Sequence, residues 1–342
     1  MTSVSTPARW AARPAGPTRT VLAFTAVGAA LLLVGTASVA LGSVRIPVPE
    51  VLAGLAGEGS RGTLSILWDV RLPRVGLALL IGANLAASGT LLQAVMHNPL
   101  ADPGLTGVSS GAAVAVLFVI LTAPQWTHLI PPVALVGGVV ATVMVFTFAW
   151  QRHNGFTPLR VILAGVAVNS IFGGITGMLS ILHSDRLPAA LQWLNGSLAG
   201  TGMDDLGTLL PYSLLGWIAA LVCIRPANIL RLGEQTAMGI GLNVTLARLL
   251  LCGVAVHLAA ISVSTVGLIG FVGLVVPHIT RMLVGSNYLV RIPFGLALGA
   301  VVLVAADTLG RTVISPLEVP AGIVMAVVGG PYFLYLMRRG GT

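Results

Sequence analysis

The chain has 342 residues, of which 56% are hydrophobic and only 8% are charged. A soluble domain usually carries about 25% charged residues, so this composition predicts an integral membrane protein. The net charge of +8 comes from arginines scattered singly between apolar runs, which favours topology signals over a nucleic-acid-binding face. All 18 basic residues are arginine, which excludes a P-loop lysine and a lysine Schiff base. We therefore expect no catalytic residues, and any ATP hydrolysis must occur on another polypeptide.

Ten apolar stretches approach the roughly 20 residues needed to cross the hydrocarbon and are predicted as membrane-spanning helices. They are residues 20–42, 73–96, 106–123, 131–150, 159–182, 207–224, 247–265, 267–284, 292–310 and 319–337. The apolar run from Ala247 to Gly285 is too long for one helix, so we divide it near Ser264–Gly267. The sequence thus predicts one all-α transmembrane domain over residues 20–339, between an N-terminal arm (1–19) and a short tail (340–342).

The first stretch has features of a secretory signal peptide. Arg9, Arg13 and Arg19 precede its apolar run, which ends in small residues. That run extends from Val21 to Gly42, which is longer than a typical h-region of about 7–15 residues. We therefore expect this segment to be retained as the first span.

The arginines predict the orientation. Ten spans leave both termini on one side, and a cytosolic N-terminus places twelve arginines inside and six outside. This distribution satisfies the positive-inside rule. The outer six are Arg45, Arg61, Arg71, Arg74, Arg186 and Arg311. Four of them crowd the first outer loop, and contact with an acidic external partner is one explanation for that surplus.

Acidic residues and histidines disfavour ion chemistry within the membrane. No carboxylate falls at the centre of a predicted span, whereas ion-coupled carriers usually bury ionisable groups there. This absence counts against an ion-coupled secondary transporter, which is the alternative from another functional class. The six histidines share no ligand spacing, so we predict no intrinsic metal site.

Asn84, Gln93, Asn169 and His257 are polar side chains within predicted spans. A polar group in lipid needs a hydrogen-bond partner or a water-filled path. These residues are candidates for lining a translocation path. The alternative for each is a hydrogen bond to a neighbouring helix.

The segment from Arg225 to Arg248, RPANILRLGEQTAMGIGLNVTLAR, differs from the other predicted inner loops. It is too polar to span a bilayer, and its apolar residues have near-helical spacing. Its glycines allow sharp turns, and Asn243 is a candidate N-cap for the following span. We predict one or two short amphipathic helices that contact a partner. The alternative is a helix lying on the membrane surface with no partner.

The connection between the second and third spans, Asn98–Gly104 (NPLADPG), is rich in helix breakers. Pro99 and Pro103 lack amide protons, and Gly104 tolerates positive φ. The surrounding stretch, Arg71–Gly111, closely resembles the signature of FecCD-type permeases, the membrane subunits of ABC importers for ferric siderophores, haem and cobalamin. Residues Gly267–Gly285 (GLIGFVGLVVPHITRMLVG) resemble the family's second signature. The resemblance covers about residues 20–339.

This resemblance implies a type II ABC importer permease fold with ten helices per subunit. The implied partners are a second permease subunit, identical or homologous, two ATP-binding subunits and a substrate-binding protein. The implied location is the bacterial inner or plasma membrane, with both termini cytosolic. The resemblance implies no cofactor. A ferric siderophore is the expected cargo, and cobalamin or haem is the alternative.

The resemblance also assigns roles to residues. Arg71 and Arg311 match arginines that dock the binding protein. Residues of the Arg225–Arg248 segment match the helices that couple to the ATPase, namely Leu232, Gly233, Glu234, Gly239, Gly241, Leu242 and Asn243. Thr157, Pro158 and Leu159 match the cytoplasmic gate, although family members carry small hydroxylated residues there, and Pro158 and Leu159 depart from that pattern.

Overall fold

A computed structural model describes residues 16–42, 46–151 and 155–340, which are almost entirely helical. The elements are α1 Pro17–Ala40, α2 Val48–Leu55, α3 Arg61–Ser65, α4 Leu72–Met96, α5 Val108–Thr122, α6 Ile130–Ala149, β1 Trp150–Gln151, β2 Gly155–Phe156, α7 Pro158–Leu182, α8 Leu187–Leu194, α9 Met203–Val222, α10 Ile224–Leu230, α11 Glu234–Gly239, α12 Val244–Val266, α13 Val272–Val284, α14 Tyr288–Thr312 and α15 Ala321–Gly340. A π-helical turn, Ile66–Arg71, joins α3 to α4. Three 3₁₀ turns lie at Pro103–Thr106, Pro124–Leu129 and Ser184–Arg186.

Each of the ten predicted spans coincides with one helix: α1, α4, α5, α6, α7, α9, α12, α13, α14 and α15. Within the described residues, seven helices are long and apolar enough to cross a membrane. The apolar parts of α5, α13 and α15 are shorter, at 10–17 residues. The chain is therefore a multi-pass membrane protein, while the count of ten crossings stays a prediction.

The predicted division of the long apolar run is confirmed. Helix α12 ends at Val266, and Gly267 has a φ of 79°, in the left-handed region. Helix α13 begins at Val272, five residues later than the predicted span, because Phe271 also has positive φ. A Cβ at Gly267 would lie 2.0 Å from the carbonyl oxygen of Trp193, so only glycine fits at this crossing.

Helix α4 forms the centre of the bundle, with 83% of its most apolar window buried. Glycines let neighbouring backbones touch it. A Cβ at Gly82 would lie 2.2 Å from the carbonyl oxygen of Gly299, and one at Gly89 would lie 1.8 Å from that of Gly273. This close approach is the packing expected between membrane helices. In lipid the hydrophobic effect does not drive helices together, so small residues that allow close van der Waals contact stabilise the association.

The contacts define two ends of the bundle. We call the end that carries α10 and α11 the inner end, where His97 Nε2 lies 2.9 Å from the carbonyl oxygen of Leu230. The opposite end is the outer end, where Arg311 donates to the carbonyl oxygen of Ser38 at 3.0 Å. Helices α1 and α14 run from the inner to the outer end, and α4 runs back.

Two kinds of element were not predicted. Strands β1 and β2 form an antiparallel pair in which Trp150 lies opposite Phe156, where a plain loop was expected between the fourth and fifth spans. Asn154-Gly155 was an available signal, since this dipeptide favours hairpin turns. Residues 152–154 themselves lie outside the described ranges. The other unpredicted elements are the short helices α2, α3 and α8.

Candidate functional site

The Arg225–Arg248 segment forms two short helices at the inner end, as predicted. Helix α10 buries Ala227 and Leu230 against the bundle, and α11 buries Ala237. These small and branched side chains follow the near-helical spacing of the sequence, which gives each helix one inward face. The segment is thus seated on the bundle through apolar contacts.

Polar contacts fix α10 to the start of α14. The side-chain amide of Asn228 donates to Asn287 Oδ1 at 3.1 Å. The backbone N–H of Tyr288 in turn donates to Asn228 Oδ1 at 3.1 Å, satisfying a free amide of the first turn of α14. These two bonds tie α10 to the N-terminal end of α14.

Two glycines make the turns of the segment. Gly233 precedes α11 with a φ of 100°, and Gly241 follows it with a φ of 84°. Gly239 lies within α11 and is not among the residues with positive φ. Asn243 is the predicted N-cap of α12, since its Oδ1 accepts from the backbone N–H of Leu246 at 3.0 Å.

An apolar face points away from the bundle. The exposed fractions of Leu232, Met238 and Ile240 are 55%, 54% and 59%. Leu242 is half-buried and packs against the core of the bundle. Exposed apolar side chains on α11 and on the turns either side of it, in a segment held in place by hydrogen bonds, form a surface suited to a groove on a partner.

The predicted gate residues lie at the inner start of α7. Thr157 occupies the N-cap position, and its carbonyl oxygen accepts from Arg160 N at 3.1 Å and from Val161 N at 3.2 Å. Pro158 is the first helical residue, where its missing N–H costs nothing. Leu159 is 65% exposed. Gating by these residues stays a prediction.

The Asn98–Gly104 turn folds into the bundle instead of lying on its surface. Asp102 Oδ1 accepts from the backbone N–H of Gly104 at 2.8 Å. A Cβ at Gly273 would lie 2.8 Å from Pro103 Cδ and 3.3 Å from Asp102 Oδ2, so the turn packs against the start of α13. Gly89, which also touches Gly273, lies seven residues before the end of α4, about 10 Å along its axis. Burial raises the pKa of Asp102, and the bond from Gly104 partly opposes that shift.

Two of the path-lining candidates hold the interior together. Asn84 is fully buried; its amide donates to Ser213 Oγ at 2.8 Å, and its Oδ1 accepts from Trp217 Nε1 at 2.8 Å. Gln93 is also buried and donates to the carbonyl oxygen of Pro99 at 2.8 Å, which steadies the turn. Both residues make the hydrogen bonds of the alternative interpretation, and path lining by either stays a prediction.

The other two candidates lie on less buried faces. Asn169 on α7 donates to the carbonyl oxygen of Gly104 at 3.0 Å and accepts from Ser110 Oγ at 2.6 Å. His257 on α12 is half-buried, and its Nε2 lies 3.0 Å from the carbonyl oxygen of Tyr212. Asn169 therefore ties α7 to the inserted turn and to α5. Path lining by either residue stays a prediction.

The two arginines predicted to dock a partner are buried at the outer end, with exposed fractions of 4% for Arg71 and 6% for Arg311. Arg71 donates to the carbonyl oxygens of Val39 and of Ala40, the latter at 3.0 Å. Arg311 donates to Ser38 Oγ at 2.8 Å. Both guanidinium groups thus hold the C-terminal end of α1, whose last carbonyls lack partners within the helix.

A third arginine completes this cluster, and the sequence analysis missed its role. Arg74 makes a bidentate ion pair with Asp307, at 2.9–3.1 Å, and a second pair with Glu318 at 2.8 Å. Arg311 Nε also donates to Asp307 Oδ2 at 3.1 Å. The sequence offered one signal for the cluster. Asp307 and Arg311 are four residues apart, a spacing that places them on one helix face and predicts that they pair. Contacts within the chain therefore account for three of the six outer arginines.

Comparisons with known proteins agree with this architecture. The FecCD transport family matches residues 30–339. The Fe(3+)-citrate import system permease protein YfmE of Bacillus subtilis (strain 168) is 36% identical over 321 residues, covering 94% of this chain and 96% of its own. The hemin transport system permease protein HmuU of Yersinia pestis is 38% identical over 286 residues, covering 80% of this chain and 83% of its own.

A solved structure of a metal-chelate type ABC transporter in an inward-facing conformation is also similar. Its chain superposes with a TM-score of 0.82 at 28% identity, and the match covers 93% of this chain and 99% of that one. The family match spans far more than half of the sequence and includes every described helix from α2 to α14. This chain belongs to the FecCD transport family.

Proposed function

We propose that this protein is the permease subunit of an ATP-binding-cassette importer that moves a ferric siderophore into the cytosol. A substrate-binding protein delivers the cargo at the outer end. A second permease subunit, identical or homologous, completes the path, and two ATP-binding subunits act at the inner end. The chain lies in a bacterial cytoplasmic membrane with both termini cytosolic.

The observation that carries this proposal is the exposed apolar face of Leu232, Met238 and Ile240 at the inner end. Apolar side chains that face water beside a membrane are suited to a groove on a soluble partner. The chain contains no lysine, so a partner must supply the P-loop that binds ATP. Permease relatives such as YfmE and HmuU support the same role.

The contacts suggest how force reaches the membrane helices. Asn228 ties α10 to the first turn of α14, and Asn243 begins α12 directly after α11. Helices α12 and α14 both pack on α4, so a partner that moves the segment shifts the centre of the bundle. Closure of the ATP-binding subunits then biases the permease between two access states.

Docking of the binding protein by Arg71 and Arg311 remains part of the proposal. Both guanidinium groups already bind carbonyl oxygens at the end of α1. Bonds to an external carboxylate must therefore replace bonds to α1 or add to them. Charge complementarity of this kind sets orientation and association rate more than affinity.

The cargo is the least constrained element of the proposal. An iron chelate is favoured because YfmE is named for Fe(3+)-citrate import, and HmuU supports haem as the alternative. Uptake of a labelled ferric siderophore should fall in a deletion strain, while uptake of labelled hemin and cobalamin stays normal. Loss of hemin or cobalamin uptake alone would reassign the cargo.

The assignment to the ABC importer permeases is tested by replacing exposed apolar residues with glutamate. We expect Ile240→Glu to insert normally but to abolish co-purification of the ATP-binding subunit. Leu52→Glu is the matched control, since Leu52 is also 59% exposed but lies on α2 at the outer end. Retention of the ATP-binding subunit and of transport by Ile240→Glu would remove the main support for an ABC permease.

A further inference from the structure

Four arginines gather at the inner end where α1, α13 and α14 meet. Arg19 lies in the first turn of α1, Arg281 in the last turn of α13 and Arg291 in the first turn of α14. Arg231 follows α10 directly. We call these residues the inner arginine cluster. They come from four separate elements, so the fold assembles the cluster.

Contacts show that the four side chains share one location. Arg19 donates to the carbonyl oxygen of Met282 at 2.7 Å, and Arg231 donates to the hydroxyl of Ser286. The charges of Arg281 and Arg291 repel each other, and Arg231 adds to the repulsion on Arg291. A cluster of like charges held together by the fold favours an anion between or beside them.

No carboxylate in the described ranges compensates Arg291. The sequence contains no acidic residue between Glu234 and Asp307, and Glu234 pairs with Arg248 instead. Arg291 is only 4% exposed; it lies 4.8 Å from the centre of the Tyr288 ring, and its Nε has no hydrogen-bond partner. A buried guanidinium without an opposite charge is costly, so a nearby bound anion would stabilise this end of the bundle.

Exposed apolar side chains lie beside the charges. Met282 and Leu289 flank the cluster on α13 and α14, with exposed fractions of 58% and 61%. On α1, Val21 and Leu22 follow Arg19 with exposed fractions of 62% and 64%. Arginine heads next to apolar side chains, at the ends of membrane helices, match the chemistry of a phospholipid: a phosphate above acyl chains.

We propose that the inner arginine cluster binds the phosphate headgroup of an anionic phospholipid. Arg19 is exposed and Arg281 is half-buried, and these two contact the phosphate through charge-assisted hydrogen bonds. Arg231 and Arg291 supply additional positive field, and the apolar residues on α1, α13 and α14 contact the acyl chains. This site shares Arg231 with the Arg225–Arg248 segment but does not depend on the proposed transport function.

The test compares lipid binding by the purified full-length chain in mixed micelles containing phosphatidylglycerol or phosphatidylcholine. Native mass spectrometry measures retained lipid, and the melting temperature measures the stabilisation. We expect wild type to prefer phosphatidylglycerol. Removing one arginine near a membrane surface weakens anionic-lipid binding about fivefold, so Arg19→Gln with Arg281→Gln should weaken it about 25-fold.

Arg160→Gln is the matched control, because Arg160 is exposed at the inner end of α7 outside the cluster. This control and Arg281→Lys, which keeps the charge, should both retain the preference for phosphatidylglycerol. Equal losses in the double variant and in the control would overturn the proposal. An equal melting-temperature shift with inorganic phosphate would identify a soluble-anion site instead. Unchanged lipid preference combined with loss of the ATP-binding subunit would identify a protein contact instead.

Discussion

The carboxylate of Glu234 accepts a hydrogen bond from Arg248 Nη2 at 2.9 Å, which joins the first residue of α11 to the second turn of α12. The two partners differ in environment, since the Glu234 side chain is 51% exposed and that of Arg248 is 7% exposed. This pair closes the segment back onto the membrane helix that follows it. A short surface helix with such a tether keeps one orientation relative to the bundle.

The first prediction concerns this pair. Glu234→Ala should cost more than the about 0–1 kcal/mol of a fully exposed ion pair, because it removes the carboxylate partner of the buried Arg248 guanidinium. Arg248→Ala should cost more, since it also removes a buried side chain that packs beneath α11. Thermal unfolding of both variants and of the double variant measures the coupling. Equal effects of the two single variants would contradict this ranking.

The second prediction uses three glycines of the segment, at each of which a Cβ would meet no atom within 4 Å. The three positions therefore differ in backbone conformation and not in the space available for a side chain. Gly233 has φ 100° and ψ 153°, a region almost restricted to glycine, and Gly241 has φ 84°. Valine should cost about 1–3 kcal/mol at Gly233 or Gly241. Gly239→Val is the control, because that position lies inside α11.

The readouts for this series are co-purification of the ATP-binding subunit and transport per ATP in reconstituted vesicles. We expect Gly233→Val and Gly241→Val to insert normally but to uncouple hydrolysis from transport, whereas Gly239→Val stays close to wild type. Normal transport by Gly241→Val would make the segment an ordinary surface loop. Equal loss in the control would mean that side-chain bulk, and not the turn, causes the defect.

The third prediction separates two carboxylates that bind the same arginine, Arg74. Asp307 is 2% exposed and also pairs with Arg311, so Asp307→Asn removes the buried carboxylate from two guanidinium groups and leaves Arg74 with only the more exposed Glu318. The expected cost is about 3–5 kcal/mol. Glu318 is 38% exposed, and Glu318→Gln should cost about 0–1 kcal/mol. Similar melting temperatures for the two variants would show that the cluster contributes little to stability.

The fourth prediction separates holding α1 from docking a binding protein. Arg71→Gln should lower the melting temperature of the isolated permease, because carbonyl oxygens at the end of α1 lose their donor. This measurement needs no binding protein. At a temperature where the variant remains folded, docking predicts slower association of the binding protein. An unchanged melting temperature would leave docking as the only role of Arg71.

Sequence patterns predicted the helices because membrane spans depend on length and hydropathy, which are local properties. Helix ends and turns were predictable for the same reason, since each depends on a residue's own conformational preference. They are the break near Gly267, the turns at Gly233 and Gly241 and the Asn243 cap. The apolar residues of the Arg225–Arg248 segment were likewise recognisable from their near-helical spacing.

Contacts between distant residues could not be predicted in this way. Arg74 and Asp307 are separated by 233 positions in sequence, and only the packing of α14 on α4 brings them together. Outer arginines were therefore interpreted as a surface surplus, although three of them point into the bundle. The insertion of Asp102 beside Gly273 was equally hidden, because a turn rich in polar and helix-breaking residues resembles a surface connection.

The last prediction concerns Asn169, which ties the middle of α7 to the inserted turn and to α5. Only 17% of the apolar window of α7 is buried, so its two side-chain bonds, to Gly104 and from Ser110, weigh heavily in holding it. Such bonds contribute about 0.6 kcal/mol each within membranes, so Asn169→Ala should change the melting temperature little. It should instead loosen α7, and with it the gate residues Thr157–Leu159, lowering cargo transported per ATP.

Ser170→Ala is the matched control, because that hydroxyl donates to the carbonyl oxygen of Val166 in its own helix, at 2.8 Å. Spin-label distances between α7 and α4 should broaden in Asn169→Ala and stay narrow in Ser170→Ala. Unchanged distances and unchanged transport in Asn169→Ala would show that apolar packing alone holds α7.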